Sequence, residues 1–317
     1  MRGIDPAVRA EQVLPRVYDP FLNERLVRRL RVGRSYGGCL TVDVVGCDMR
    51  CSYCYVDGSL LDGRGELLEK EMNRKKGPIK RYLPVEIAEE ICAAESKFKW
   101  RKNIQITAAE PLLTPEWLVE VTRHLSDPVR KHGRKIWVDT NGFQIAAKPE
   151  LLELFASYKD LLRFFVSTKN SPKFYTATTR VNKKYCDTGF QCVELMWQKG
   201  FVAYPQAPIT LFFQPDDFEW YYQRLSRMHP AAPLLLDLDR ITLVPFQRII
   251  GGLKQAGLWK ARNSQPMVER WWQDFLRDKY RRKVKRLISV DYHPEDEGLV
   301  SRFVFNQEPI ENWPLFA

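Results

Sequence analysis

The segment "GCDMRCSYCYV", which begins at Gly46, places three cysteines within eight residues: Cys47, Cys51 and Cys54. A loop this short brings three thiolates to one side of a single group. No fourth ligand closes the set. Cys186 and Cys192 form no second paired motif, and the histidines at 124, 132, 229 and 293 are solitary. A structural zinc site takes four ligands. Three thiolates therefore suit a cubane iron–sulfur cluster with one open iron better than they suit zinc. Cys39 and Cys92 read as small buried hydrophobes. An odd total of seven cysteines, three of them clustered, argues against a secreted disulfide framework and for a reduced compartment.

Around this loop the chain alternates between strand and helix patterns. Apolar runs at 39–46, 103–108, 135–140, 162–168, 207–213 and 240–246 read as strands. Helical patterns lie between them at 84–95, 115–125, 149–158, 188–199 and 217–225. Strands joined through helices are parallel neighbours with right-handed crossovers. Six such units predict an α/β fold, a partial (β/α)6 TIM-type barrel. An arginine-rich N-terminal lead-in (1–38) precedes the barrel (39–250), and a C-terminal helix and tail (251–317) pack on it. Residues 57–82 read as a polar insertion. A terminal helix is predicted over 263–287, capped by Asn263 or Ser264, because Val268, Trp271, Trp272, Phe275 and Leu276 repeat at helical spacing. The apolar Trp313, Leu315 and Phe316 suggest that the tail docks.

Composition narrows the class. No apolar run approaches the ~18–20 residues a membrane span needs, and the N-terminus has no signal-peptide core, so a cytoplasmic protein without membrane attachment is expected. Lys and Arg total 50 against 39 Asp and Glu, a net charge of +11. That excess favours an anionic partner without choosing among RNA, an acidic protein and an acidic ligand. The segment "YRRKVKR" (280–286), with Trp271, Trp272 and Tyr280 nearby, fits a nucleic-acid contact or a solvated face.

The pattern Cys47-x-x-x-Cys51-x-Tyr53-Cys54, with an aromatic residue before the third cysteine and a β-rich run before the first, resembles the signature of radical S-adenosylmethionine (SAM) enzymes. The resemblance continues over roughly residues 39–250. It implies one [4Fe–4S] cluster on Cys47, Cys51 and Cys54, with Tyr53 in the cofactor loop. The open iron would chelate the amino and carboxylate groups of SAM. Reductive cleavage would then yield methionine and a 5′-deoxyadenosyl radical that takes a hydrogen atom from substrate. Further motifs follow in the family's order. "TAAEP" (107–111) stands where the family has Gly-Gly-Glu-Pro against the SAM amino group. Glu110 matches, and Ala108 and Ala109 replace the glycines. "VDTNGF" (138–143) resembles the glycyl-radical-enzyme activases, which implies that Asp139 and Thr140 lie beside SAM. In "FVSTKNSPKFY" (165–175), Lys169 matches a SAM-carboxylate position, and Ser167 replaces the activases' aspartate. The absence of cysteine beyond 192 implies a single cluster. The activase-like layout implies hydrogen abstraction from a protein or peptide, a flavodoxin- or ferredoxin-type reductant, and a monomer. Two other classes remain open: a radical SAM enzyme modifying RNA or tRNA, and a non-enzymatic iron–sulfur electron carrier or zinc module.

Overall fold

Strands β3 (Cys39–Val44), β5 (Ile104–Thr107), β6 (Ile136–Thr140), β7 (Leu162–Ser167) and β8 (Ala203–Gln206) pair in parallel in that order. The computed structural model describes residues 3–33, 38–73, 79–98, 103–169, 171–207, 215–238, 247–261, 264–288, 296 and 298–316. Three further strands complete the sheet beside β3: β1 (Tyr18–Asp19), β2 (Glu24–Gly33) and β4 (Lys80–Tyr82), with β2 antiparallel to all its neighbours. The result is a curled half-barrel, the partial TIM-type architecture that the alternation predicts. The predicted sixth strand, 240–246, lies outside the described residues. Just before it, Asp237 pairs in parallel with Gln206, giving an N–H···O bond of 2.9 Å to Pro205.

Each parallel strand presents one face to the helices and one to the barrel interior, as a two-residue period requires. Leu40, Val42, Ile104, Ile106, Ile136, Val138, Phe164 and Val166 are buried in the main core. That core also takes in Trp117, Leu118 and Val121 of α5 (Pro115–Lys131) and Phe190, Val193 and Met196 of α8 (Thr188–Gln198). On the opposite face, Trp137, Phe165 and Tyr204 form an aromatic row, with centroids 5.5 and 5.4 Å apart. Asp139, Ser167 and Gln206 follow two residues nearer the strands' C-terminal ends.

Several elements differ from expectation. The lead-in is a helix, α1 (Pro6–Val17), followed by β1 and β2, so it contributes directly to the sheet. Its arginines look solvated in sequence, but Arg25 is fully buried, and Arg29 and Arg31 bond through Nε to the buried Asp43. The polar insertion holds the short helices α2 (Gly58–Asp62) and α3 (Glu66–Met72) and then β4. The fifth strand precedes its predicted place: β8 reads Ala-Tyr-Pro-Gln, and proline in its middle argues against a strand. Residues 208–213 of the predicted run are outside the described residues. Residues Pro149–Tyr158 form 3₁₀ turns rather than a helix. The terminal helix runs Gln265–Tyr280, with Ser264 at its N-cap position and Arg281 ending it at φ 52°; Asn263 lies outside the described residues. Trp313, Leu315 and Phe316 are buried, and Lys285 N–H donates to the Leu315 carbonyl at 2.7 Å.

Candidate functional site

The cysteine loop leaves β3 through Gly46, whose φ of 92° suits glycine, and whose absent Cβ would lie 2.8 Å from Val17 of α1. Three helices clamp the loop. The N–H groups of Gly46 and Cys47 donate to Leu60 and Leu61 of α2 at 2.9 and 3.0 Å. Ser52 N–H and Oγ donate to Thr178 and Ala177 of α7 (Tyr175–Thr179), both at 2.7 Å. On the third side, Gly252 of α10 (Gln247–Gln255) lies so close that a Cβ there would overlap the Ser52 carbonyl oxygen. The Tyr53 ring packs with Ile249, Leu253 and Leu258 beside α10.

Cys47, Cys51 and Cys54 are free and half-buried. Burial, and then the neighbouring Asp48, push the Cys47 thiol well above the usual range. Burial and Cys51 push Cys54 up to about 12. A metal must therefore displace protons on binding. The thiols do not close on a point. Among the described residues, no three His, Cys, Asp or Glu side chains gather as ligands to a single ion would. Ligands to separate irons of a cubane stand further apart than that.

Two buried carboxylates stand behind the loop. Asp48 accepts from Asn141 Nδ2 at 2.6 Å and from Gln144 Nε2 at 2.8 Å. Glu110 accepts from Leu112 N–H (3.0 Å), Thr140 Oγ (2.6 Å) and Asn141 N–H (2.8 Å). Desolvation raises both, and together with the neighbouring Asp48 charge it brings Glu110 to about 7. The Glu110 N–H in turn donates to the Gly46 carbonyl at 2.9 Å. The loops after β3, β5 and β6 thus meet at Asp48, Glu110 and Asn141. Arg25 ties the same place from outside the barrel, donating to the carbonyls of Pro111 (2.7 Å), Glu110 (2.7 Å) and Val45 (3.3 Å) and to the Thr114 hydroxyl. Asp48, Asn141 and Arg25 were not singled out from sequence. Asp48 sits inside the cysteine motif as an unremarked polar residue, Asn141 reads as half of an Asn-Gly turn, and Arg25 reads as one of several solvated arginines.

The candidate SAM residues divide between two faces. Glu110 and Thr140 bond to each other away from the barrel interior. Asp139 points inward, accepting from Gln105 Nε2 at 2.7 Å. Neighbours on a strand must diverge in this way. Ala108 adopts φ 83°, a region L residues avoid, where the family has glycine; Lys169 adopts φ 60°. Strained non-glycine backbone thus occurs at two of the strand ends that form the site. Ser167 ends β7 in register with Gln206. Lys169 is buried, and its ammonium lies 5.9 Å from the Tyr53 ring centre. Among the described residues its Nζ has no carboxylate partner, an arrangement that calls for an anionic group.

Asp139 Oδ1 is buried and accepts no hydrogen bond of good geometry among the described residues, although the neighbouring Thr107 hydroxyl lies close enough to favour the charged form. Desolvation raises this acid from 3.8 to about 6. A raised acid contributes stability below its unfolded pKa and loses it as pH climbs through the folded value. Unfolding free energy of the cofactor-free protein should therefore fall between about pH 4 and 6. At about 1.4 kcal/mol per pKa unit, Asp139→Asn should remove about 2–3 kcal/mol of that fall, with Glu110 and Asp48 leaving a residual slope. Urea titrations across this range check it, and an unchanged slope in the variant would contradict the assignment.

Residues 41–190 match the family described as the Radical SAM superfamily. This stretch carries the cysteine loop and strands β5, β6 and β7, and the superfamily's cofactors are a [4Fe–4S] cluster and SAM. Similar solved structures include Streptococcus suis SuiB bound to precursor peptide SuiA (14% identity, 75% of this chain and 44% of that chain, TM-score 0.48). Native anSMEcpe with bound AdoMet is 12% identical, with 83% and 64% covered and a TM-score of 0.42. A spore photoproduct lyase mutant with dinucleoside spore photoproduct is 13% identical, with 69% and 60% covered and a TM-score of 0.41. The chain spans 44–64% of the length of these structures. No curated protein matches it. No helix among the described residues is long and apolar enough to cross a membrane.

Proposed function

We propose that Cys47, Cys51 and Cys54 hold a [4Fe–4S] cluster, that SAM lies over the C-terminal ends of β5, β6 and β7, and that the substrate is a protein or peptide that loses a hydrogen atom. The observation that carries this reading is the meeting of three strand-end loops at Cys47, Glu110 and Asn141, with the buried Lys169 ammonium, which has no carboxylate partner among the described residues, beside Tyr53. The residues fit the groups: three thiols on one clamped loop, the buried Lys169 ammonium for the carboxylate of SAM, and the buried Asp139 carboxylate for a SAM hydroxyl. When bound, the reduced cluster and SAM supply a 5′-deoxyadenosyl radical.

The protein's own residues do the holding. Glu110, committed to Leu112, Thr140 and Asn141, fixes the strained Ala108–Ala109 backbone, which faces the SAM amino group. Asp139 Oδ1 accepts from a SAM hydroxyl, and Lys169 meets the carboxylate. Ser167 borders the same cleft. The activase-like "DTNGF" favours a peptide over RNA. The RNA reading keeps its basic residues, since Arg281, Arg282 and Lys283 are exposed. Of its three aromatic residues it loses Trp272, which is 0% exposed and stacks on Phe275 at 5.5 Å, while Trp271 and Tyr280 are half-buried.

The test is anaerobic reconstitution with iron and sulfide, reduction, and addition of SAM. The expected results are 5′-deoxyadenosine and a SAM-induced change in the reduced cluster's EPR spectrum. An unchanged spectrum from a fully loaded cluster would sink the reading in favour of an electron carrier.

A further inference from the structure

Asn141 directly follows β6, and its backbone N–H and both ends of its side-chain amide are committed. The backbone N–H donates to Glu110 Oε2 at 2.8 Å. The side-chain oxygen Oδ1 accepts from the Phe143 N–H at 2.9 Å. Only the oxygen of a primary amide can accept, so this bond sets which way round the amide lies. It turns Nδ2, with its two hydrogens, toward the cysteine loop. Nδ2 donates to Asp48 Oδ1 at 2.6 Å and lies 4.0 Å from Cys47 Sγ.

Asp48 is held in turn, since Gln144 Nε2 donates to its other oxygen at 2.8 Å. Asp48 is 0% exposed and Asn141 is 6% exposed. A hydrogen bond in so dry a place is stronger than the same bond in water. The Cys47 sulfur also takes the Met49 N–H, at 3.4 Å. That donor belongs to the loop's own backbone and does not depend on the side chain at 49. The Asn141 donor is different: it is a side chain, and it comes from 94 positions further along the chain. When a metal binds, the Cys47 thiol gives up its own proton. Both N–H groups then face a negatively charged sulfur. Hydrogen bonds to ligand sulfurs are among the features that set an iron–sulfur centre's potential, and donors draw negative charge off the sulfur.

We infer that Asn141 is a positioning residue that acts through Cys47: its side-chain amide donates an N–H···S bond to that sulfur and raises the reduction potential of the cluster. Asp48 and Gln144 keep the amide aimed. The inference rests on the reading that Cys47, Cys51 and Cys54 hold a [4Fe–4S] cluster.

The test is a redox titration of the reconstituted protein, followed by the EPR signal of the reduced cluster. Dithionite supplies the electron through small mediators. One electron enters the cluster, and no bond or proton changes place. Asn141→Ser keeps an oxygen for the Phe143 N–H, because serine supports the same kind of turn, and it lacks the amide. Its reduction equilibrium should be about threefold to tenfold less favourable, a fall in midpoint of about 30–60 mV for a one-electron couple. Gln144→Met is the control. It frees one oxygen of Asp48 and leaves the Asn141 amide in place, so its midpoint should not fall.

An equal fall in Gln144→Met would place the effect on the Asp48 charge and overturn the inference. So would an unchanged midpoint in a folded, fully loaded Asn141→Ser protein. Iron per chain and thermal unfolding of the cofactor-free proteins establish folding and loading. Should Asn141→Ser load poorly, the unmutated protein decides. With isotope-labelled nitrogen in its asparagine side-chain amides alone, pulsed EPR of the reduced cluster should detect one weakly coupled nitrogen. No such coupling would overturn the inference. A wild-type protein that takes up no cluster at all would instead overturn the reading of the three cysteines, and the inference with it.

Discussion

Replacing Cys51 with alanine should leave background iron on a reconstituted protein that otherwise holds about four irons per chain, and should abolish 5′-deoxyadenosine formation from SAM. The expected loss exceeds about a hundredfold, since removal of a ligand outweighs the 10–100-fold typical of residues that merely orient one. The fold should survive. Cys51 is half-buried at the margin of two small apolar clusters, beside Tyr53 in one and beside Met49 and Tyr175 in the other. The loop's own backbone is held by bonds from Cys47, Ser52 and Cys54 N–H groups rather than by the Cys51 side chain. Unchanged thermal unfolding of the cofactor-free variant, measured beside the iron assay, separates a lost ligand from a lost fold. Normal iron and normal product from the variant would overturn the ligand assignment.

The largest effect on stability is expected at Arg25. Its guanidinium is 0% exposed and satisfies the carbonyls of Val45, Glu110 and Pro111 and the Thr114 hydroxyl, with no carboxylate partner in the cage. Burial pushes its pKa down to about 9, so the site holds the charge at some cost and keeps it through carbonyl dipoles and the nearby Glu110 charge. Arg25→Met fills similar volume but leaves those acceptors without donors. Each buried unsatisfied group costs about 1–3 kcal/mol, and partial relaxation brings the expected total to about 3–5 kcal/mol. Urea unfolding of the cofactor-free protein checks this. Because Arg25 grips the chain on both sides of the site, the variant should also load iron poorly even where it remains folded. A loss below about 1 kcal/mol would mean that the carbonyls find water instead.

The cysteine spacing and the runs "CLTVDVVG", "NIQITA", "KIWVDT" and "LRFFVST" made the cysteine loop and four parallel strands legible, because strands buried on the helix side must be rich in β-branched and aromatic residues. Strand β2 was not legible. Arg29 and Arg31 alternate with apolar residues, but their partner Asp43 lies on another strand, and charge in sequence looks like solvent until its counter-charge is located. Strand β8 was hidden by Pro205. Within the site, Glu110 was legible as a residue but the direction of its side chain was not: the Thr140 and Asn141 groups that hold it come from a different loop. The opposite orientations of Asp139 and Thr140 follow from pleating alone and were open to inference before any coordinates.

The clamps on the cysteine loop also bear on the order of events during synthesis. Residue 9 grips the carbonyl of Cys47 early, but Gly252 closes on Ser52 from 200 positions further along the chain. At about 5–20 residues per second, that interval takes roughly 10–40 seconds of translation. Until then the cysteine loop lacks one wall and Tyr53 lacks Ile249, Leu253 and Leu258. On the proposed reading of the three cysteines, cluster delivery would belong late, once most of the polypeptide has emerged, and the nascent thiols spend the interval unprotected from oxidants and stray metal ions.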